Sequence, residues 1–227
     1  MPQRGKTHST VRPRSGLQVL SGQPCPLGLP DALLETSLVN HKIPKDKNPH
    51  IQMEDFLVEK AKKIKLLLLD VDGVLTDGRI VYDSKGRDSK FFNVHDGLGV
   101  YVLKNAGIST VLITAKGSRT LKHRARDMRV AEIFADISPK SSVFDKILEK
   151  YNLTDQEVCF VGDDLVDLCL MKRVGFAVAV FNACTEIKNL AHYITQREGG
   201  RGAVREVAEL ILKAQGKWED MVGLYQY

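Results

Sequence analysis

From Lys65 to the C-terminus, short apolar runs alternate with helical patterns, and that alternation admits few folds. The runs are "KLLLLDV" (65–71), "STVLITA" (109–115), "AEIFA" (131–135), "EVCFVGD" (157–163), "FAVAV" (176–180) and "HYITQ" (192–196). Most lack an apolar–polar alternation, as strands covered on both faces do. Between them lie helix-like segments: "GLGVYVLKNAG" ending at Gly107, "SRTLKHRARDM" with Ser118 as N-cap, "SSVFDKILEKY", "LVDLCLMKRV", "ACTEIKNLA" and the long "GAVREVAELILKAQGK". Strands separated by helices predict an α/β domain with a mostly parallel sheet. "RIVYD" and "SKFFNV" flank "SKGRD", which predicts a β-hairpin turning at Gly86.

Three of the strands end in polar residues. "LLLLDVDGVLTDG" places Asp70, Asp72 and Asp77 directly behind four leucines. The strand at 109–115 ends at Thr114, and the one at 157–163 runs into Asp163 and Asp164, with Asp167 one helical turn on. Buried charge is costly unless it is paired or holds an ion. Either these aspartates are turn residues, which Asp and Gly favour anyway, or they line a site at the carboxyl edge of the sheet. In parallel α/β sheets ligands sit at that edge. Converging carboxylates need a counter-ion, and hard oxygen ligands suit Mg²⁺. Mg²⁺ beside hydroxyl and ammonium groups fits phosphoryl chemistry.

The rest of the chain excludes other classes. The net charge of +5 is concentrated at the start, where residues 1–50 hold seven Lys or Arg against three Asp or Glu. The nearly neutral remainder carries no nucleic-acid footprint. No apolar run approaches the roughly 20 residues that cross a bilayer, so no membrane partner is expected. The N-terminal residues lack the apolar core of a secretory signal; their Arg and Ser content is also that of a transit peptide. Residues 1–52 read as a disordered extension with a short helix possible at 30–39, and Met53 is a candidate translation start. Cys25, Cys159, Cys169 and Cys184 form no C-x-x-C pair or disulfide frame; Cys159 reads as a reduced, buried thiol, and the compartment as cytoplasmic.

Taken in order, "DVDGVLTDG", "LIT", a following lysine and "GDDLVD" resemble the four motifs of the haloacid dehalogenase superfamily of phosphatases. "DGVLTDG", the hairpin after it, "HDGLGV" and "GGRGAVRE" narrow the resemblance to the capless sugar-acid phosphatases of lipopolysaccharide sugar synthesis. It covers about 63–217 and implies a three-layer Rossmann-like parallel sheet with a β-hairpin flap and no large cap domain. The expected organisation is an extension over 1–52, a phosphatase domain over 53–217 and a C-terminal tail over 218–227. The implied reaction is Mg²⁺-dependent hydrolysis of an eight-carbon ulosonate 8-phosphate through an aspartyl-phosphate. The alternatives are a nine-carbon ulosonate 9-phosphate as substrate, or a catalytically silent oligomerisation module of the same fold.

Carried over by position, the resemblance implies that Asp70 is the nucleophile and Asp72 the acid and base. It implies that Thr114 and Lys140 bind the phosphoryl group. It further implies that Asp70, the backbone carbonyl of Asp72 and Asp163 hold Mg²⁺, with Asp164 and Asp167 supporting the metal or Lys140. Related enzymes are tetramers whose neighbours cover the open site, so a homotetramer is expected, with the hairpin at the interface. "GGRGAVRE" reads as a glycine-hinged loop whose Arg201 is a candidate substrate contact, and Lys116 is another. The family usually follows the threonine with Gly-Arg, whereas this chain has Ala115 and Lys116. A guanidinium grips a carboxylate bidentately and an ammonium is only a point charge, so substrate preference is expected to turn on Lys116.

Overall fold

The computed structural model describes residues 49–226. Of the expected extension over 1–52, residues 1–48, with the helix at 30–39 and Cys25, lie outside the described residues, whereas residues 49–52 are not extension but the first turn of a helix. In chain order the elements are α1 (Pro49–Lys62), β1 (Leu66–Leu69), β2 (Val81–Tyr82), β3 (Asp88–Ser89), α2 (Val94–Asn105), β4 (Ser109–Ile113), α3 (Arg119–Asp127), β5 (Glu132–Phe134), α4 (Phe144–Tyr151), β6 (Val158–Gly162), α5 (Leu168–Met171), β7 (Phe176–Ala179), α6 (Thr185–Lys188), β8 (Tyr193–Ile194), α7 (Ala203–Ala214) and α8 (Trp218–Gly223).

β5, β4, β1, β6, β7 and β8 form, in that spatial order, a six-stranded sheet whose pairings are all parallel. The four leucines of β1 are fully buried because neighbouring strands cover its edges and helices its faces. Each such side chain contributes about 1.5–3 kcal/mol relative to exposure. β1 lies between β4 and β6, and its last residue, Leu69, is level with Leu112 and Val161. The residues after β1, β4 and β6 therefore emerge side by side. This is also where the strand order reverses, the usual position of a ligand crevice.

The helices are held by the caps and faces expected of them. Ser118 accepts a hydrogen bond from the Leu121 N–H, and Asn93 caps α2 through the His95 N–H. α7 buries Val204, Val207, Ala208 and Ile211 on one stripe and packs against α1 and α2. Trp218 and Met221 of α8 also pack against the core, whereas Leu224 and Tyr225 are exposed. No helix among the described residues is long and apolar enough to cross a membrane. Cys159 is buried in β6 and unpaired, and burial pushes its thiol pKa up.

Several elements are shorter than their patterns. The "LVDLCLMKRV" helix is a 3₁₀ turn (Leu165–Asp167) followed by one turn of α-helix, and α6 spans four residues. The hairpin exists, with the Asp83 carboxylate accepting from the Lys85 and Arg87 N–H groups around the turn at Gly86. Its second arm is Asp88–Ser89 rather than the longer "SKFFNV". The chain leaves the ladder there because Phe92 packs on the core and Asn93 caps α2. This hairpin is the whole excursion between β1 and α2, and no separate cap stands over the sheet among the described residues.

Candidate active site

Behind β1, Asp70 is held by its N–H donating to the Val161 carbonyl, and its side chain is 7% exposed. Lys140 opens a 3₁₀ turn and runs its side chain into the same place, also buried. Its ammonium lies 2.7 Å from Asp70 Oδ1 and 2.5 Å from Asp167 Oδ1. The other Asp167 oxygen accepts from the Asp163 N–H at 2.9 Å and so closes the loop after β6. Asp163 completes the group: carboxylate oxygens of Asp70, Asp163 and Asp167 all lie within 4.8 Å of one another.

Three carboxylates against one ammonium leave an excess of negative charge in a buried place. Burial, then Asp167, raise the Asp70 pKa to about 6 although Lys140 opposes them. Burial, then Asp70 and Asp167, raise Asp163 to about 8. Burial works against the Lys140 ammonium, but Asp70 and Asp167 outweigh it and its pKa rises. Asp163 Oδ1 is buried and has no hydrogen-bond partner. An orphaned carboxylate oxygen among like charges is what a hard divalent cation would satisfy, and the all-oxygen donor set fits Mg²⁺. Asp163 can come this close only because residue 73 is glycine: at φ +92° a Cβ there would lie 2.0 Å from Asp163 Oδ2.

The three aspartates of the opening motif thus divide. Asp70 joins the buried cluster. Asp72 is half-buried, with Oδ1 paired to the Lys90 ammonium from the hairpin. Asp77 is a turn residue, bound to the Arg79 backbone and guanidinium. Thr76, which carries no motif signal, is buried and accepts from the Gly73 and Gly78 N–H groups, pinning the loop.

Thr114 is buried at the end of β4, its hydroxyl folded onto the Lys116 backbone. Lys116 is exposed at the mouth and donates to the Tyr82 hydroxyl of the hairpin at 2.8 Å. Asp164 and Asp167, grouped as supports in sequence, separate in space. Asp164 is exposed and caps its 3₁₀ turn through the Leu165 N–H, while Asp167 is wholly buried on Lys140. Arg201 is exposed and paired with Glu198, away from the cluster.

The profile of one protein family, described as haloacid dehalogenase-like hydrolase, matches residues 120–206. Over 170 residues the chain is 39% identical to 3-deoxy-D-manno-octulosonate 8-phosphate phosphatase of Yersinia pestis, covering 75% of this chain and 91% of that protein. Identity to the Escherichia coli (strain K12) phosphatase of the same name is 40% over 167 residues, or 74% of this chain and 89% of the relative. The chain belongs to this phosphatase family. A solved structure from Moraxella catarrhalis, a 3-deoxy-D-manno-octulosonate 8-phosphate phosphatase in complex with magnesium, phosphate and KDO, superposes with a TM-score of 0.73 at 39% identity. That match covers 75% of this chain and 98% of the other.

Within this phosphatase family's fold, the "GGRG" segment of the present chain is a clamp rather than a hinge. A Cβ on Gly199 would lie 1.6 Å from the Gly73 carbonyl oxygen, and the Gly200 N–H donates to the Val74 carbonyl at 2.8 Å. Asp96, buried in α2, accepts from the Gly202 and Arg205 N–H groups and ties α7 to the same loop. Gly199→Ala is therefore expected to push the Asp72–Gly73 loop, costing about 1–3 kcal/mol as overpacking does. A thermal melt and phosphate release measured together check this, and both should fall.

Proposed function

We propose that the chain is a Mg²⁺-dependent phosphatase that hydrolyses 3-deoxy-D-manno-octulosonate 8-phosphate to the free sugar acid and phosphate. The observation that carries this reading is the buried Asp70–Lys140–Asp167 set beside the orphaned Asp163 carboxylate, with Asp72 two residues after Asp70. In the proposed cycle an Asp70 oxygen attacks phosphorus, the bond from phosphorus to the sugar oxygen breaks, and Asp72 gives that oxygen its proton. Water then attacks the aspartyl-phosphate, Asp72 takes its proton, and phosphate leaves with Asp70 restored. Lys140 and Thr114 hold the phosphoryl oxygens. Asp70, the Asp72 carbonyl and Asp163 would hold Mg²⁺, which would supply charge neutralisation on the phosphoryl group. Asp167 orients Lys140 and closes the loop; Asp164 acts only through its cap.

The substrate's carboxylate is assigned to Lys116 and Arg201. Lys116 offers one donor direction where the family usually offers a guanidinium fork, which discriminates poorly between this substrate and the alternative, a nine-carbon ulosonate 9-phosphate. The silent-module reading is disfavoured because Asp70, Asp72, Thr114, Lys140 and Asp163 are all present. Ile80, Tyr82, Phe91 and Val94 are exposed apolar residues on and beside the hairpin. Their burial by neighbouring subunits in a homotetramer fits an otherwise open site. The phosphatase domain is assigned to 53–217 with residues 1–52 as an appended segment, and the compartment to the cytoplasm.

Phosphate release from a panel of sugar phosphates, with Mg²⁺ and with chelator, tests the assignment. Release from the eight-carbon ulosonate phosphate that chelator abolishes is the expected result. Release chiefly from the nine-carbon substrate would move the pathway and keep the chemistry. A folded, Mg²⁺-binding protein that releases phosphate from none would overturn the enzyme reading.

A further inference from the structure

We propose that Lys90 is a positioning residue for catalysis: it holds the Asp72 carboxylate so that its free oxygen meets the leaving oxygen of the sugar phosphate. The inference rests on the phosphatase reading above. Lys90 follows directly on β3, in the arm of the hairpin that descends toward α2. Successive side chains of an extended segment point to opposite sides. Here Phe91 points out and is exposed, while Phe92 packs on the core and Lys90 turns the same way. The Lys90 side chain is only 9% exposed, unusual for a lysine on a two-stranded flap. Its partner lies 18 residues earlier, on the loop after β1.

Taking an ammonium out of water costs desolvation that its ion pair repays only in part, so stability alone gives a poor reason for burying Lys90 against Asp72. The pairing has a functional consequence instead. Asp72 commits Oδ1 to Lys90 and leaves its side chain 40% exposed, with the other oxygen unpaired among the described residues and free for the substrate to meet. Without Lys90, a short side chain at the mouth of the site samples its rotamers freely. With it, the carboxylate is fixed whenever the hairpin lies over the site. A group held in a reactive geometry is worth large factors in rate. Lys90 thus links the placement of the hairpin to the readiness of the acid and base.

The test compares Lys90→Met and Lys90→Arg with wild type on two substrates. Hydrolysis of the ulosonate phosphate requires a proton on a poor leaving oxygen, whereas p-nitrophenolate departs without one. Lys90→Met should lower kcat on the sugar phosphate by about 10- to 100-fold, part of what acid–base catalysis supplies. KM should move by less than about threefold. The pre-steady-state release of p-nitrophenol from p-nitrophenyl phosphate should stay within about threefold of wild type. Lys90→Arg should recover most of the lost rate. Adding Lys90→Met to Asp72→Asn should cost nothing further.

Equal losses on both substrates, a loss in KM alone, or an additive loss in the double variant would overturn the inference. Should Lys90→Met fail to fold by near-ultraviolet circular dichroism, Lys90→Gln is read against the same criteria. Another sugar phosphate that wild type hydrolyses serves equally as substrate. A wild type inert on every sugar phosphate would instead sink the phosphatase reading and this inference with it.

Discussion

Asp70→Asn is expected to abolish phosphate release, by about 10⁴-fold or more, with the fold retained. An amide oxygen is a far poorer nucleophile than a carboxylate, and losses on removing a nucleophile reach this scale. The fold should survive because the amide can still accept from Lys140 and because the replacement relieves repulsion toward Asp163 and Asp167. Asp72→Asn separates the two half-reactions. It leaves Asp70 able to attack but removes the group that activates water, so phosphate should accumulate on the protein. Rapid quenching with radiolabelled substrate checks both variants. Label trapped on Asp72→Asn and absent from Asp70→Asn is the expected pair of results. Full turnover in Asp70→Asn would remove the aspartyl-phosphate from the mechanism.

The second large effect is on stability and comes from the same carboxylates. Asp70 and Asp163 titrate near 6 and 8 in the folded protein, against an ordinary value near 3.8. The folded state therefore binds protons more tightly than the unfolded chain. The stability this contributes is full below about pH 4 and is lost as pH rises through 6 and then 8. In chelator, the melting temperature should accordingly climb as pH falls from 8 toward 5. Mg²⁺ should reverse the trend, because it binds the ionised carboxylates and protons displace it. At about 100 times its dissociation constant it adds about 2.7 kcal/mol, or roughly 5–10 °C for a domain of this size. Asp163→Asn should raise the chelated melting temperature at pH 8 and erase the response to Mg²⁺. A melting temperature indifferent to Mg²⁺ in wild type would refute the metal site.

Both effects trace to features that differ in how far the sequence displays them. The sheet was readable because β1, β4 and β6 are continuous apolar runs, and a run buried on both faces needs no partner to be recognised. Ser118 was readable as a cap because capping is local, made within three residues. The hairpin was readable from its turn, but not the length of its second arm. That length depends on where Phe92 finds the core. The helix after β6 came out shorter than its pattern because the loop at Asp164 tightens into a 3₁₀ turn around Asp167, and α6 after β7 spans only four residues.

The site divides in the same way. Asp70, Asp72, Thr114 and Asp163 were legible by their positions at strand ends, and Lys140 by its resemblance to a family motif. That Asp167 supports Lys140 was one option of the resemblance; the sequence alone did not choose it or pair Lys140 with Asp70 as well, since the contacts span 27 residues on one side and 70 on the other. The separation of Asp164 from Asp167, three positions apart and exposed in one case, buried in the other, was not legible either. Lys90 carried no signal, because nothing local distinguishes a lysine that turns inward from one that stays in water. The glycines of "GGRG" suggested flexibility, whereas their use is the close approach of Gly199 to Gly73.

By itself the sequence determined the layered α/β architecture, the strand ends where chemistry collects and the oxygen-only character of the donor set. These follow from hydrophobic periodicity and residue type, which act over one element at a time. Only the tertiary structure decided which carboxylates share an ammonium, which one is left without a partner for an ion, and which hairpin lysine reaches Asp72. Those outcomes depend on distances between segments far apart in the chain, and the burial that gives them their energy exists only once the sheet has formed.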